Sequence, residues 1–117
     1  MPLSLDTDKK GLEMFFKPYQ VEALHVLWKH GSEGANNRTI CNEVNEKELI
    51  SIASIINSMN AMADEGILCY TEKTGKGGHH RVYRLDLTES ELKQHLAKVF
   101  IDKLLAEYPM ETRKAIK

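Results

Sequence analysis

The sequence predicts a mainly α-helical fold that carries one small antiparallel β hairpin, and three observations lead there. Apolar residues recur at spacings of three and four through several separate stretches, the pattern of helices that each bury one stripe. Between residues 67 and 85 the pattern changes to alternation, with a glycine-rich TGKGGHH connecting two short runs. A last long apolar stripe then opens at Thr88 and Glu91, a residue pair that closes a capping box. With 117 residues, 42% of them apolar and 28% charged, the chain has the balance of one ordinary globular domain rather than of a disordered segment.

Taken in order, MPLSLDTDKK is a polar arm. Leu12, Met14, Phe15 and Phe16 form an apolar cluster too short to bury itself, so it has to pack on something else. Pro18 suits the first position of a helix; Val21, Leu24, Leu27 and Trp28 supply its stripe and Gly31 stops it, giving a helix over 18–30. SEGA reads as a loop or a very short strand. Asn36 or Asn37 caps a short helix that buries Ile40, Cys41 and Val44 and ends near Asn45.

The stretch SIASIINSMNAMA, from Ser51 to Ala63, is the centre of the chain. Ile52, Ile55, Met59 and Met62 draw its buried stripe, Ser51 caps its start, and Gly66 ends it. It carries no formal charge, and Ser51, Ala53, Ser54, Asn57, Ser58 and Asn60 sit between the stripe residues. A small, uncharged, amide-bearing face of this kind suits the DNA major groove, where Asn pairs with the N6 and N7 edge of adenine. Two short helices joined in this way make a helix-turn-helix pattern.

Ile67, Cys69 and Thr71 alternate with Leu68, Tyr70 and Glu72, and Val82, Tyr83 and Leu85 resume beyond the glycines, so this segment is a hairpin hanging off the helices as a wing. Between positions 72 and 84, Lys73, Lys76, Arg81 and Arg84 face only Glu72, a local charge of +3 within a chain whose net charge is −1. Any attraction to a polyanion therefore comes from this local cluster, with His79 and His80 as further donors. The final helix runs from Thr88 to about Glu107, where Tyr108 and Pro109 close it. Its stripe of Leu92, Leu96, Val99, Phe100 and Leu104 is too wide for one hairpin to cover, which predicts a homodimer through this helix.

Cys41 and Cys69 are expected as reduced, buried thiols. His79 and His80 are neighbours on a strand and point to opposite faces, so no metal site is expected, and no cofactor. No nucleophile or acid–base pair of an enzyme is evident. No run of about 18 apolar residues exists and the N-terminus lacks the core of a signal peptide, which predicts a cytoplasmic protein with no membrane association.

LHVLWKHGSEGANNRTICNEVNE, SIASIINSMNAMADEGIL, HHRVYRLDLTESELK and KVFIDKLL together resemble the penicillinase-repressor family, dimeric winged helix-turn-helix repressors related in fold to the multiple-antibiotic-resistance regulators. The resemblance covers about residues 19–107. It implies that Ser51 caps a recognition helix whose core positions are Ile55 and Met62. The family's basic residues on the exposed recognition face are replaced here by Ala53, Ile56 and Ala61, and the Asn-Phe bond cut in protease-controlled members corresponds to Val99-Phe100, so proteolytic induction is not carried over.

The sequence thus predicts an N-terminal arm at 1–17, a winged-helix DNA-binding domain at 18–87, and a dimerisation helix with its tail at 88–117. Ser51, Ala53, Ser54, Asn57 and Asn60 are the expected contacts to bases in double-stranded DNA. Lys73, Lys76, His79, His80 and Arg81 are the expected contacts to its backbone. The alternatives are a winged-helix protein-interaction module without DNA binding, and a ligand sensor with a pocket between the core and the dimer helices.

Overall fold

The computed structural model of the chain describes residues 3–75 and 78–117. Over these residues the protein is mainly helical with a small antiparallel sheet, and it divides into two compact units, Met1–Asp86 and Leu87–Lys117. No helix among the described residues is long and apolar enough to cross a membrane.

In the first unit the apolar cluster after the arm forms a 3-10 turn, Gly11–Met14, that buries Leu12; Phe16 beyond it is buried too. Helix α1 (Pro18–His30) begins with Pro18 at its first position, where a missing N–H costs nothing, and with the Lys17 N–H donating to Gln20 Oε1 at 2.8 Å. Ala23, Leu24 and Leu27 on its inner side are fully buried. Strand β1 (Ala35–Asn36) follows, and Asn36 caps α2 (Asn37–Val44) by accepting from the Thr39 N–H at 2.9 Å. Lys29 and His30 at the end of α1 both reach Glu43 of α2, at 2.8 and 2.6 Å, and hold the two helices together at the surface.

Helix α3 (Ile52–Asp64) starts at Ser51, whose Oγ accepts from the Ser54 N–H at 3.2 Å. Ile55, Met59 and Met62 are its buried stripe, each worth about 1.5–3 kcal/mol of burial. Two residues depart from the expected pattern. Ile52 is 45% exposed, because it lies at the edge of the stripe in the first turn. Ser58, read as part of the uncharged face, is 2% exposed: its Oγ accepts from Gln20 Nε2 at 3.1 Å and pairs with Tyr19 Oη at 2.9 Å, a polar tie between α1 and α3.

Strands β2 (Cys69–Gly75) and β3 (Gly78–Arg84) form the expected hairpin, and β1 adds to its inner side, giving the order β1-β3-β2 with β3 central. Ala35 pairs with Tyr83 and Asn36 with Val82. This close approach requires Gly34, whose φ of 70° is open to glycine and where a Cβ would collide with the Tyr83 carbonyl. Cys41 is buried as expected, but Cys69 is exposed, because β2 is the outer edge of the sheet and none of its residues is buried.

In the second unit α4 (Glu89–Glu107) opens with the expected capping box, Glu91 N–H to Thr88 Oγ1 at 3.1 Å and Thr88 N–H to Glu91 Oε1 at 2.9 Å. The tail is itself helical: Pro109 starts a further helix, α5 (Pro109–Ala115), and Thr112 Oγ1 donates back to the Leu104 carbonyl at 3.0 Å. Leu92 and Leu96, expected at a dimer interface, are fully buried. Val99 and Phe100 are half-buried, and Leu104 is exposed together with Ile101.

Candidate nucleic-acid interface

The turn that presents α3 is organised by Asn45. Its Nδ2 donates to the Cys41 carbonyl at 2.8 Å and the Ile50 carbonyl at 3.1 Å, while its Oδ1 accepts from the Ile50 N–H at 3.1 Å. One side chain thereby satisfies the last turn of α2 and the approach to α3, groups that would otherwise need water. Sequence reading took Asn45 only as the end of a helix. An amide just after a helix end and five residues before the next extended segment was the available signal.

From this turn the outward side of α3 carries Ile52, Ala53, Ile56 and Asn57, all exposed. Ser51 and Ser54 stand at the helix start, where the Ser51 hydroxyl donates to Ser54 Oγ at 3.0 Å, so the two hydroxyls partly satisfy each other. Asn60, one turn beyond Ile56 and Asn57, is half-buried and occupied from the hairpin. Its Oδ1 accepts from Tyr83 Oη at 2.6 Å and from Arg81 Nη1 at 3.0 Å. An amide oxygen has two lone pairs, and both are used. The expected two-atom pairing of Asn60 with adenine therefore has no acceptor left, and only Nδ2 remains for an outside group.

The hairpin side of this contact is built by strand register. Directly opposed residues share a face: Tyr70 pairs with Tyr83, Glu72 with Arg81 and Thr74 with His79, while Lys73 pairs with His80 on the other face. Arg81 lies over the Tyr70 ring at 4.1 Å and its Nε is 3.7 Å from Glu72. With Asn60 as a third partner, Arg81 is a brace between α3 and the hairpin rather than an open cation. Of the other expected backbone contacts, Lys73, His79 and His80 are exposed, and Lys76 lies outside the described residues. The expected cluster is thus split across two faces.

α2, α3 and the hairpin together border an open cleft of about 670 Å³, lined by Asn36, Asn37 and Arg38 from the start of α2, Ile56 and Asn60 from α3, and Glu72, His79, His80, Arg81 and Tyr83 from the hairpin. Asn37 Oδ1 is buried there without a hydrogen-bond partner. Sequence reading missed Arg38, an exposed cation in the first turn of α2, and Tyr83; the parity of β3, which sets 79, 81 and 83 on one face, was the signal for the latter. A second cavity of about 330 Å³ lies between the N-terminal arm and the end of α3, lined among others by Leu3, Met14, Phe15, Met62 and Ile67.

No protein-family model matches this chain, and no curated protein matches it.

Proposed function

We propose that this chain is a cytoplasmic, dimeric, sequence-specific DNA-binding regulator of transcription, a repressor of the winged helix-turn-helix kind. The observation that carries the reading is the outward face of α3. It is uncharged and exposed, and it borders a cleft whose lining includes Arg38, His79 and His80. A neutral helix face beside the Arg38 guanidinium and the imidazole N–H donors of the hairpin is the arrangement that lets a helix enter a groove while neighbouring groups meet the phosphates. In this reading α3 is the recognition helix, β2 and β3 are the wing, and Lys73, His79, His80 and Arg38 contact the backbone. Asn57 reads bases, and Asn60 with Arg81 fixes the wing against the helix. The resemblance to the penicillinase-repressor family supports the same assignment. The two-fold partner docks on the exposed apolar residues of the second unit, Ile101 and Leu104 among them.

A second reading, a protein-docking module, is favoured by Leu49, which stands 93% exposed three residues before Ile52. Selection of bound fragments from a random duplex pool, followed by affinity measured against salt, separates the two. DNA binding predicts an enriched sequence and a log–log slope of about −0.9 per phosphate neutralised. Lys73→Ala makes that slope shallower by about one unit if it holds a phosphate. No binding to any duplex at low salt would refute the DNA reading and leave the docking module.

A further inference from the structure

The face that α3 turns outward is apolar for a reason its own fold does not supply. Its buried stripe is complete without Ile52 and Ile56, which are 45% and 37% exposed. Isoleucine is a weaker helix former than alanine, lysine or glutamate, so at an exposed helix position it adds no helical stability. The two lie four residues apart and hence on one side, and Ala53 and Asn57 repeat the spacing beside them. Hydrogen bonding from this face is correspondingly reduced: Asn60 has spent its oxygen on Arg81 and Tyr83, and Ser51 and Ser54 bond to each other. What the helix offers outward is mainly methyl and methylene groups.

In the major groove of DNA only one base presents an apolar group, the C5-methyl of thymine. We infer that Ile52, Ala53 and Ile56 recognise thymine methyl groups, so that the position of thymines, rather than of guanines, specifies the bound sequence. This rests on the DNA-binding reading of α3. A branched side chain in a helix is nearly fixed at χ1, so its methyl groups are held in place before binding and lose little freedom on contact. Even with the exposed Leu49 just before the helix, two half-exposed isoleucines and an alanine make a patch far smaller than the roughly 800 Å² per partner of a stable protein interface. Arg38, His79 and His80 in the neighbouring cleft suit flanking phosphates. Small size and the neighbouring Arg38 guanidinium, with Glu72 of the same cleft already paired to Arg81, together favour a nucleic-acid groove over an apolar protein surface.

The test uses the full chain and the duplex enriched from the random pool, resynthesised with each thymine in turn replaced by deoxyuridine. That change removes the methyl group and keeps every hydrogen-bonding atom and phosphate. The expected result is a loss of about fourfold in affinity at each contacted thymine, the scale of one buried methylene. Ile52→Ala and Ile56→Ala, both at exposed positions and checked for an unchanged unfolding transition, should each abolish the deoxyuridine effect at its own thymine while leaving it at the others. Salt-dependent binding that is indifferent to deoxyuridine at every position would overturn the inference and leave the DNA reading standing. An effect that persists unchanged in both variants would overturn the assignment to these isoleucines. Absence of duplex binding at any salt would overturn both.

Discussion

Asn60→Ala is the substitution that most directly separates bracing from base reading. Tyr83 is fully buried, and its hydroxyl donates to Asn60 Oδ1 at 2.6 Å; deleting the acceptor leaves a buried hydroxyl unpaired, at a cost of about 1–3 kcal/mol. Arg81 also loses its 3.0 Å bond but keeps Glu72 and the Tyr70 ring, so it adds little to that cost. The cost is therefore about 2 kcal/mol, a factor of roughly 30 in the folding equilibrium. With a urea slope of about 1–3 kcal/mol per molar, the unfolding midpoint should fall by about 1 M at a fixed protein concentration. Tyr83→Phe removes the donor from the other side. In a double-mutant cycle the cost of Asn60→Ala on that background should shrink by about 1 kcal/mol, and additivity within about 0.5 kcal/mol would refute the brace. Under the proposed function the same variant should weaken binding to all duplexes alike, because the wing is loosened and no base contact is removed. A changed sequence preference with unchanged stability would show that the amide reads bases after all.

Three other outcomes follow from the geometry. Ser58→Ala should cost about 1–3 kcal/mol, because the buried Gln20 amide and the Tyr19 hydroxyl lose their common partner, and an unchanged urea midpoint would count against that tie. The Lys29 ammonium, and after it His30, hold the Glu43 carboxyl below its ordinary pKa. Its folded pKa is thus lower than its unfolded one, so the pair contributes stability above the usual glutamate range, about pH 4.3, and loses it as pH falls through the folded value. Glu43→Gln should flatten that part of the stability–pH curve, and parallel curves for the two proteins would contradict the clamp. In sedimentation at micromolar concentration the wild type should be a dimer and Leu104→Asp a monomer, since the charge would have to be desolvated in the contact; a monomeric wild type would exclude the dimer.

The parts of this fold that were legible in the sequence are those decided within a few residues. Pro18, Asn36, Ser51 and the Thr88–Glu91 pair each act on backbone groups one to three positions away, which is why the helix starts they imply appear in the structure. The hairpin follows from alternation in the same way. Cys69 was misjudged because its exposure depends on which strand becomes the sheet edge, and that is settled by a two-residue strand more than thirty positions earlier. The stripe of Leu92 and Leu96 has a related limit: periodicity shows that a stripe must be covered, but not by what. α5 is not legible because Pro109 fits the close of α4 and, at a first helical position, equally the opening of the next helix.

The same distinction divides the candidate site. Asn57 and Asn60 are identical side chains three residues apart, and local sequence gives no ground for separating them. The separation comes from β3, where strand parity aims both Arg81 and Tyr83 at position 60. Asn60 is thereby committed to the angle between helix and hairpin, while Asn57 stays exposed on the outward face. If α3 reads DNA, amide-based recognition falls chiefly to Asn57. The rest of the discrimination must then come from Ile52, Ala53 and Ile56, and from how firmly Asn60 and Arg81 hold the basic hairpin beside them.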